Sequence, residues 1–231
     1  VASDRKTWTH SSWVKFNPYS ETSDTFAFFG AGADNTAQMY AATTSSDGLQ
    51  FRYEVGNSVT FDFIENNNLF RDPSAWYHFV FKIDTTQGTA SNRYNFYING
   101  VETEYGGTGG EVVTTSYPSQ NTQFLWGSTI QHNIGRRSYG DLDEADMGIA
   151  ELHYTSGYAY DATAFGYFED QTGIWRPKKY TGSYGSAGWH LDFSDNSSTT
   201  TLGYDKSGNG NHFTASGISV SSGSGNDSLL D

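Results

Sequence analysis

The 231-residue chain predicts an all-β fold, two antiparallel sheets packed as a sandwich, and three observations carry that expectation. Short aromatic and β-branched runs recur along most of the sequence, and turn residues punctuate them about every ten positions, the spacing of a sandwich of short strands. The stretch 72–100, DPSAWYHFVFKIDTTQGTASNRYNFYING, also spells out a β-hairpin. Its runs 76–83 and 94–98 are strand formers, and 85–92 between them is polar. Alternation points Tyr77, Phe79, Phe81 and Ile83 to one face, toward a core, and Trp76, His78, Val80 and Lys82 to the other. Asn99-Gly100 suits a type I′ turn, because both residues tolerate positive φ, so a further strand should begin at Val101.

The remaining elements follow in order. Residues 7–15 (TWTHSSWVK) read as a strand ended by Asn17-Pro18. Four short strands are expected at 25–30, 37–41, 49–55 and 59–64, separated by Gly, Asn, Asp and Ser clusters. Asn66, Asn67 and Asn68 form a loop before the hairpin, and Gly106–Gly110 is a flexible spacer. Weak strands are expected at 112–115 and 124–126, another around 133–135, and a stronger one at 148–154, where Ile149, Glu151 and His153 alternate against Ala150, Leu152 and Tyr154. Residues 161–168 are the one candidate helix, with Asp161 as N-cap and Gly166 keeping it short. Residues 175–188 read as an extended loop and 189–193 (WHLDF) as a compact strand. From Ser216 the chain is Ser- and Gly-rich, a linker composition, which divides it into a domain over 1–215 and a tail over 216–231 and suggests continuation beyond Asp231.

Composition narrows the partners. Thirteen Lys and Arg stand against 26 Asp and Glu, a net charge of −13, which repels phosphate backbones and anionic membrane surfaces. Nucleic acid is not an expected partner. Without cysteine there is neither a disulfide framework nor a thiolate metal site. No apolar run approaches the ~18 residues of a membrane span, and no basic region followed by an apolar stretch opens the sequence.

Two segments carry candidate chemistry. In GDLDEAD the carboxylates of Asp141, Asp143 and Asp146, with Glu144 between them, are a solvated loop, a ligand or metal rim, or a catalytic set. A retaining glycosidase needs two carboxyl groups ~5–5.5 Å apart, and Asp shortens the reach that Glu would give. Asp205, Asn209 and Asn211 in DKSGNGN offer hard oxygens on a Gly-rich turn, suited to a structural Ca²⁺ or to a self-bonded multi-turn loop. The six histidines lack H-x-H or H-E-x-x-H spacing and read as packed or surface residues. No G-x-S-x-G elbow or dinucleotide fingerprint occurs.

The hairpin pattern, W-Y-H, an apolar strand, a polar loop and Y-N-F-Y-I-N-G, resembles laminin-G-like members of the concanavalin A-like lectin/glucanase superfamily. RKTWTHSSWVK, YPSQNT, IAEL, GIWRPKKYTGSYGSAGWHLD, GYDKSGNGNHFT and GNDSLLD extend a resemblance to the branch found in structural proteins of marine tailed bacteriophages. The resemblance implies a concanavalin A-like jelly roll and a non-enzymatic virion domain of a tail fibre or exposed capsid protein, binding a host-surface glycan or decorating the particle. It also supports Ca²⁺ at Asp205, Asn209 and Asn211, while the Asn-, Asp-, Gly-, Tyr- and Ser-rich loops, with Asn66, Asn67, Asn68, Asp141, Asp143, Glu144 and Asp146 as ligand-binding residues, suit weak recognition of a polar surface by a homo-oligomeric or particle-anchored domain. A segment like LDF followed by D-x-S-G-N-G-N usually opens such domains, whereas here 191–211 lies late, which suggests circular permutation or a truncated second domain. The competing functional reading is a glycan-degrading jelly-roll hydrolase using Asp141, Asp143 and Asp146.

Overall fold

The computed structural model describes residues 4–16, 27–34, 37–43, 48–65, 70, 72–103, 112–114, 117–137, 146–222 and 227–228. In chain order the strands are β1 (Thr7–Phe16), β2 (Ala27–Asp34), β3 (Ala37–Thr43), β4 (Leu49–Val55), β5 (Ser58–Glu65), β6 (Tyr77–Asp84) and β7 (Tyr94–Ile98). They continue with β8 (Val101–Glu102), β9 (Val112–Thr114), β10 (His132–Ile134), β11 (Met147–Ser156), β12 (Gly166–Phe168), β13 (Trp175–Pro177) and β14 (Trp189–Leu191). One four-residue helix, α1 (Thr199–Leu202), is closed by a capping box on Ser198. No helix among the described residues is long and apolar enough to cross a membrane.

Two antiparallel six-stranded sheets make a jelly-roll-like sandwich. The first runs β14-β11-β1-β6-β7-β8 and the second β10-β2-β3-β4-β5-β9. The core between them is aromatic: Trp8, Phe28, Phe29, Phe51, Phe61, Phe79, Phe81, Phe96, Phe124 and Trp126 are at most 1% exposed. The alternation predicted for β6 holds, since Phe79, Phe81 and Ile83 join this core and Tyr77 packs against it. The hairpin forms as well, with Phe81 opposite Phe96 and Asn99 at φ 48 in the turn.

The outer face of the first sheet is buried too, which alternation did not reveal. Val80 and Tyr97 on that face pack with Ala162, Phe165 and Trp175 of the segment 157–188, which forms a third layer. Polar outer-face residues find partners in it. Thr9 Oγ1 and Thr155 Oγ1 each donate to the carbonyl of Tyr158 at 2.9 Å, and Trp175 Nε1–H donates to His78 Nδ1 at 2.9 Å. Asp161 clamps the layer with its carboxylate, accepting from Lys82 Nζ at 2.6 Å and Tyr97 OH at 3.0 Å.

Three expectations are corrected. Residues 161–168 are not a helix: a single 3₁₀ turn (Ala162–Ala164) leads into β12, and the Asp161 side chain is engaged by Lys82 and Tyr97 instead of capping. Residues 124–126 form no strand; Phe124 and Trp126 are buried from a loop, whose Phe124 N–H donates to Arg5 O at 3.1 Å. The strand expected at 189–193 is shorter, Trp189–Leu191, and pairs with β11 at the edge of the sheet, with β11 between it and β1; a permuted jelly roll would have set it beside β1. Residues 191–214 stay on the body, with Leu202 buried and Phe213 packed edge-on to Trp189 at 4.9 Å.

His10 projects from β1 into the core, where it lies 4.0 Å from Phe29, ring to ring, and among the described residues neither ring nitrogen has a hydrogen-bond partner. Burial pushes its pKa down to about 3, and the same cause brings buried His78 to about 3. The unfolded chain takes up these protons near pH 6.5 while the folded chain does not, so stability present above pH 6.5 is lost as pH falls toward 3. Urea denaturation at pH 7 and pH 5 should show a loss of about 2 kcal/mol from each of the two groups, and His10→Phe should remove one such share. A variant with the wild-type pH dependence would contradict the neutral, unpartnered state of His10.

Candidate functional site

The third layer stops short of the β11–β14 edge and leaves a groove of about 520 Å³ on the outer face of the first sheet. Its floor is Ser11 and Trp13 of β1, Glu151 and His153 of β11 and His190 of β14. Tyr180, Tyr184, Lys178, Lys179, Asp192 and Lys206 complete the walls.

A β-bulge places the central carboxylate. The β1–β11 register passes from Ser11 opposite His153 to Trp13 opposite Ala150, so β11 carries one extra residue, and Glu151 within it has φ 47. Positive φ is unfavourable for a residue with a long side chain, and bulges re-aim side chains in this way. Glu151 Oε2 lies 3.0 Å from His190 Nε2 and 3.4 Å from His153 Nε2. His153 and His190 are opposite each other in the β11–β14 ladder, and their rings stack 4.1 Å apart. His153 is buried, and its Nδ1 lies 2.9 Å from Tyr184 OH.

The electrostatics follow from these contacts. Hydrogen bonding to His153 and then His190 holds the half-exposed Glu151 carboxyl at about 2. Burial lowers His153 to about 4 although Glu151 opposes the shift. At neutral pH the site therefore holds a carboxylate beside a neutral His153 imidazole.

The turn at 205–211 supports this site from behind. Asp205 Oδ1 accepts from the backbone N–H of His190 (2.9 Å) and Ser207 (2.8 Å), and Oδ2 accepts from Asn211 N–H and Ser207 Oγ, both at 2.9 Å. Asn209 and Asn211 donate their amides to the carbonyl of Gly188, at 2.8 and 2.9 Å. Both Asp205 oxygens thus accept from the protein's own donors, and the Asn209 and Asn211 amide nitrogens donate to Gly188, which is the self-bonded loop the sequence allows for this turn. What they hold is the loop 184–188, whose Tyr184 carbonyl accepts from Ser156 N–H at 2.8 Å. The approach is so close that a Cβ on Gly185 would collide with the Ser156 carbonyl. Of the acidic segment, Asp146 is described and exposed; Asp141, Asp143 and Glu144 lie outside the described residues, as do Asn66, Asn67 and Asn68.

The His/Glu trio was missed in the sequence because its members come from two strands 37 positions apart at their histidines, His153 and His190. The signal available was Glu151 and His153 at i and i+2 of one strand; the pairing of that strand with 189–191 was not visible. Ser11 and His78 form a further contact, 2.8 Å between Oγ and Nε2. Since Trp175 N–H occupies Nδ1, Nε2 carries the proton and donates to Ser11, so His78 is no base for that hydroxyl.

The chain belongs to the concanavalin A-like lectin/glucanases superfamily: the Laminin_G_3 family model matches residues 1–147. No curated protein matches it. Among solved structures it is similar to the native heptameric SAP-like pentraxin from Limulus polyphemus, at 15% identity and TM-score 0.36 over 67% of this chain and 65% of that one. It is similar also to the CBM40 of Ruminococcus gnavus IT-sialidase bound to α2,3 sialyllactose (12%, TM-score 0.44, 68% of this chain and 77% of that one). Trypanosoma rangeli sialidase in complex with sialic acid matches at 16% and TM-score 0.39, over 69% of this chain and 22% of that one.

Removing the Asp205 carboxylate should loosen the whole support. Asp205→Ala leaves four hydrogen-bond donors without their acceptor, and the expected cost is roughly 2–4 kcal/mol of unfolding free energy, measured by urea denaturation at pH 7. A cost below about 0.5 kcal/mol, the range of ordinary surface changes, would show that the turn does not hold β14 in place.

Proposed function

We propose that this chain is a non-enzymatic carbohydrate-binding domain displayed on a bacteriophage particle, in a tail fibre or on the capsid, where it binds a host-surface glycan as part of a homo-oligomer. The observation that carries the binding reading is the groove beside β11 and β14. Trp13, Tyr180 and Tyr184 offer ring faces for the apolar side of a sugar, and Glu151, His190 and Asp192 offer hydrogen-bonding groups for hydroxyls. Three of the chain's six lysines, Lys178, Lys179 and Lys206, line this one groove although the net charge is −13. That concentration favours a glycan bearing carboxylate or sulfate groups.

The non-enzymatic part is supported by protonation. Glycoside hydrolysis needs a carboxyl group whose pKa is raised so that it can act as the acid. Every described carboxyl group with a shifted pKa is shifted downward, Glu151 in the groove included. The placement on a phage particle is supported by the sequence resemblance along most of the chain. Many copies on one particle would raise avidity by ~10²–10⁴ over a single weak site.

Binding to a panel of acidic and neutral polysaccharides tests the reading. An acidic glycan should bind, more weakly at high salt, and Trp13→Ala and Lys179→Glu should each lose roughly tenfold in affinity or more, about 1.4 kcal/mol. Lys179 is exposed, so its variant reports on binding without disturbing the core. No release of reducing ends is expected. Equal affinity of both variants for the glycan would move the site elsewhere, and release of reducing ends lost in Asp143→Asn would establish the hydrolase instead.

A further inference from the structure

We propose that Glu151, His153 and His190 form a binding site for a divalent transition metal, with zinc the ion their chemistry fits, opening onto the groove. The proposal stands without the carbohydrate reading. One oxygen and two imidazole nitrogens converge so that their ligating atoms all lie within 4.8 Å of one another. Zinc binds imidazole nitrogen at ~2.0–2.1 Å and carboxylate oxygen at ~2.0–2.2 Å, which sets neighbouring ligands of a tetrahedral shell about 3.3 Å apart. The two separations from Glu151 Oε2, 3.0 Å to His190 Nε2 and 3.4 Å to His153 Nε2, bracket that value. The rings are stacked 4.1 Å apart with their planes 14° from parallel, so a shared ion requires one of them to turn about χ2 until both in-plane lone pairs meet at it.

The surroundings are those of a held ligand set. Tyr184 OH, 2.9 Å from His153 Nδ1, can accept a hydrogen bond from that nitrogen when Nε2 binds a metal, and a hydroxyl serves either ring tautomer. The backbone N–H of His190 is fixed on Asp205 at 2.9 Å, and its carbonyl accepts from Lys206 N–H at 2.7 Å. The bulge commits Glu151 to this direction at the cost of an unfavourable φ. Two imidazoles with one carboxylate select zinc, cobalt, nickel or copper over calcium, whose shells are built from oxygen. Three protein ligands leave a coordination position facing the groove, where water or an oxygen of a bound anion completes the shell.

The test uses the full chain, stripped with a chelator and titrated with Zn²⁺ alone by calorimetry, with Co²⁺ as the spectroscopic probe. One Zn²⁺ per chain should bind. Zinc at a hundredfold excess over its Kd should raise the melting temperature by roughly 5–10 °C, whereas Ca²⁺ leaves it unchanged. Bound Co²⁺ should show the visible absorption of a low-coordinate site and lose it when zinc is added. Glu151→Gln and His190→Ala should each abolish or weaken zinc binding at least tenfold, and Tyr184→Phe should weaken it by roughly tenfold while leaving the stoichiometry at one. Glu151 is exposed, so its variant keeps the test open if His190→Ala fails to fold. The proposal is overturned if the wild-type chain binds no zinc, or if zinc binds with unchanged affinity to both ligand variants; in the first case the trio is a hydrogen-bonded support only.

Discussion

Strands β1 and β6 are buried on both faces, and most of the architecture answers to that constraint. Phe79, Phe81 and Ile83 meet the opposite sheet, while His78 and Val80, pointing the other way, are also fully buried. The outer row is not apolar throughout: Thr9, Ser11, His78 and Thr155 lie on it, so whatever covers it must supply hydrogen-bond partners as well as surface. The segment 157–188 does both. Its Trp175 lays its ring near Val80 and donates to His78, and the carbonyl of Tyr158 serves two threonines at once. Gly166 and Gly100 lie under that tryptophan, where a Cβ would run into its ring.

The groove exists because this covering is incomplete. Where the layer ends, β11 is interrupted by its bulge and β14 closes the sheet edge with three residues. A carboxylate and two imidazoles are thus held at a sheet edge, not in a loop, with their directions set by a ladder register and by the 205–211 turn behind them. Sites built on strands keep their geometry better than sites on mobile loops. The groove also gathers three lysines, with Glu151 and Asp192 among them, on a chain whose net charge is −13. The two proposals for this place overlap at Glu151 and His190 and otherwise draw on different groups, carbohydrate binding on the ring faces and lysines and metal binding on His153.

The sequence by itself determined the strands of the two large sheets and the core face of β6. Period-two alternation in β6, Asn99-Gly100 in the turn and the recurrent aromatic runs are local signals, and local signals suffice where the core decides which face turns inward. Helix and weak-strand expectations failed at 161–168 and 124–126 because tertiary partners overrode propensity: Lys82 and Tyr97 took the Asp161 carboxylate, and the core took Phe124 and Trp126 from a loop. The turn at 205–211 was legible as a tight Asp- and Asn-rich loop, but that Asp205 accepts from the His190 N–H and that the Asn209 and Asn211 amides donate to Gly188 follows only from the fold. Of the candidate site only Glu151 and His153, two positions apart in one strand, were legible. His153 and His190 are ordinary strand residues until β14 pairs with β11, and Glu151 joins them because one inserted residue turns its side chain. Strand order and bulges are set by long-range pairing and steric fit between distant segments, and no local pattern in the chain records them.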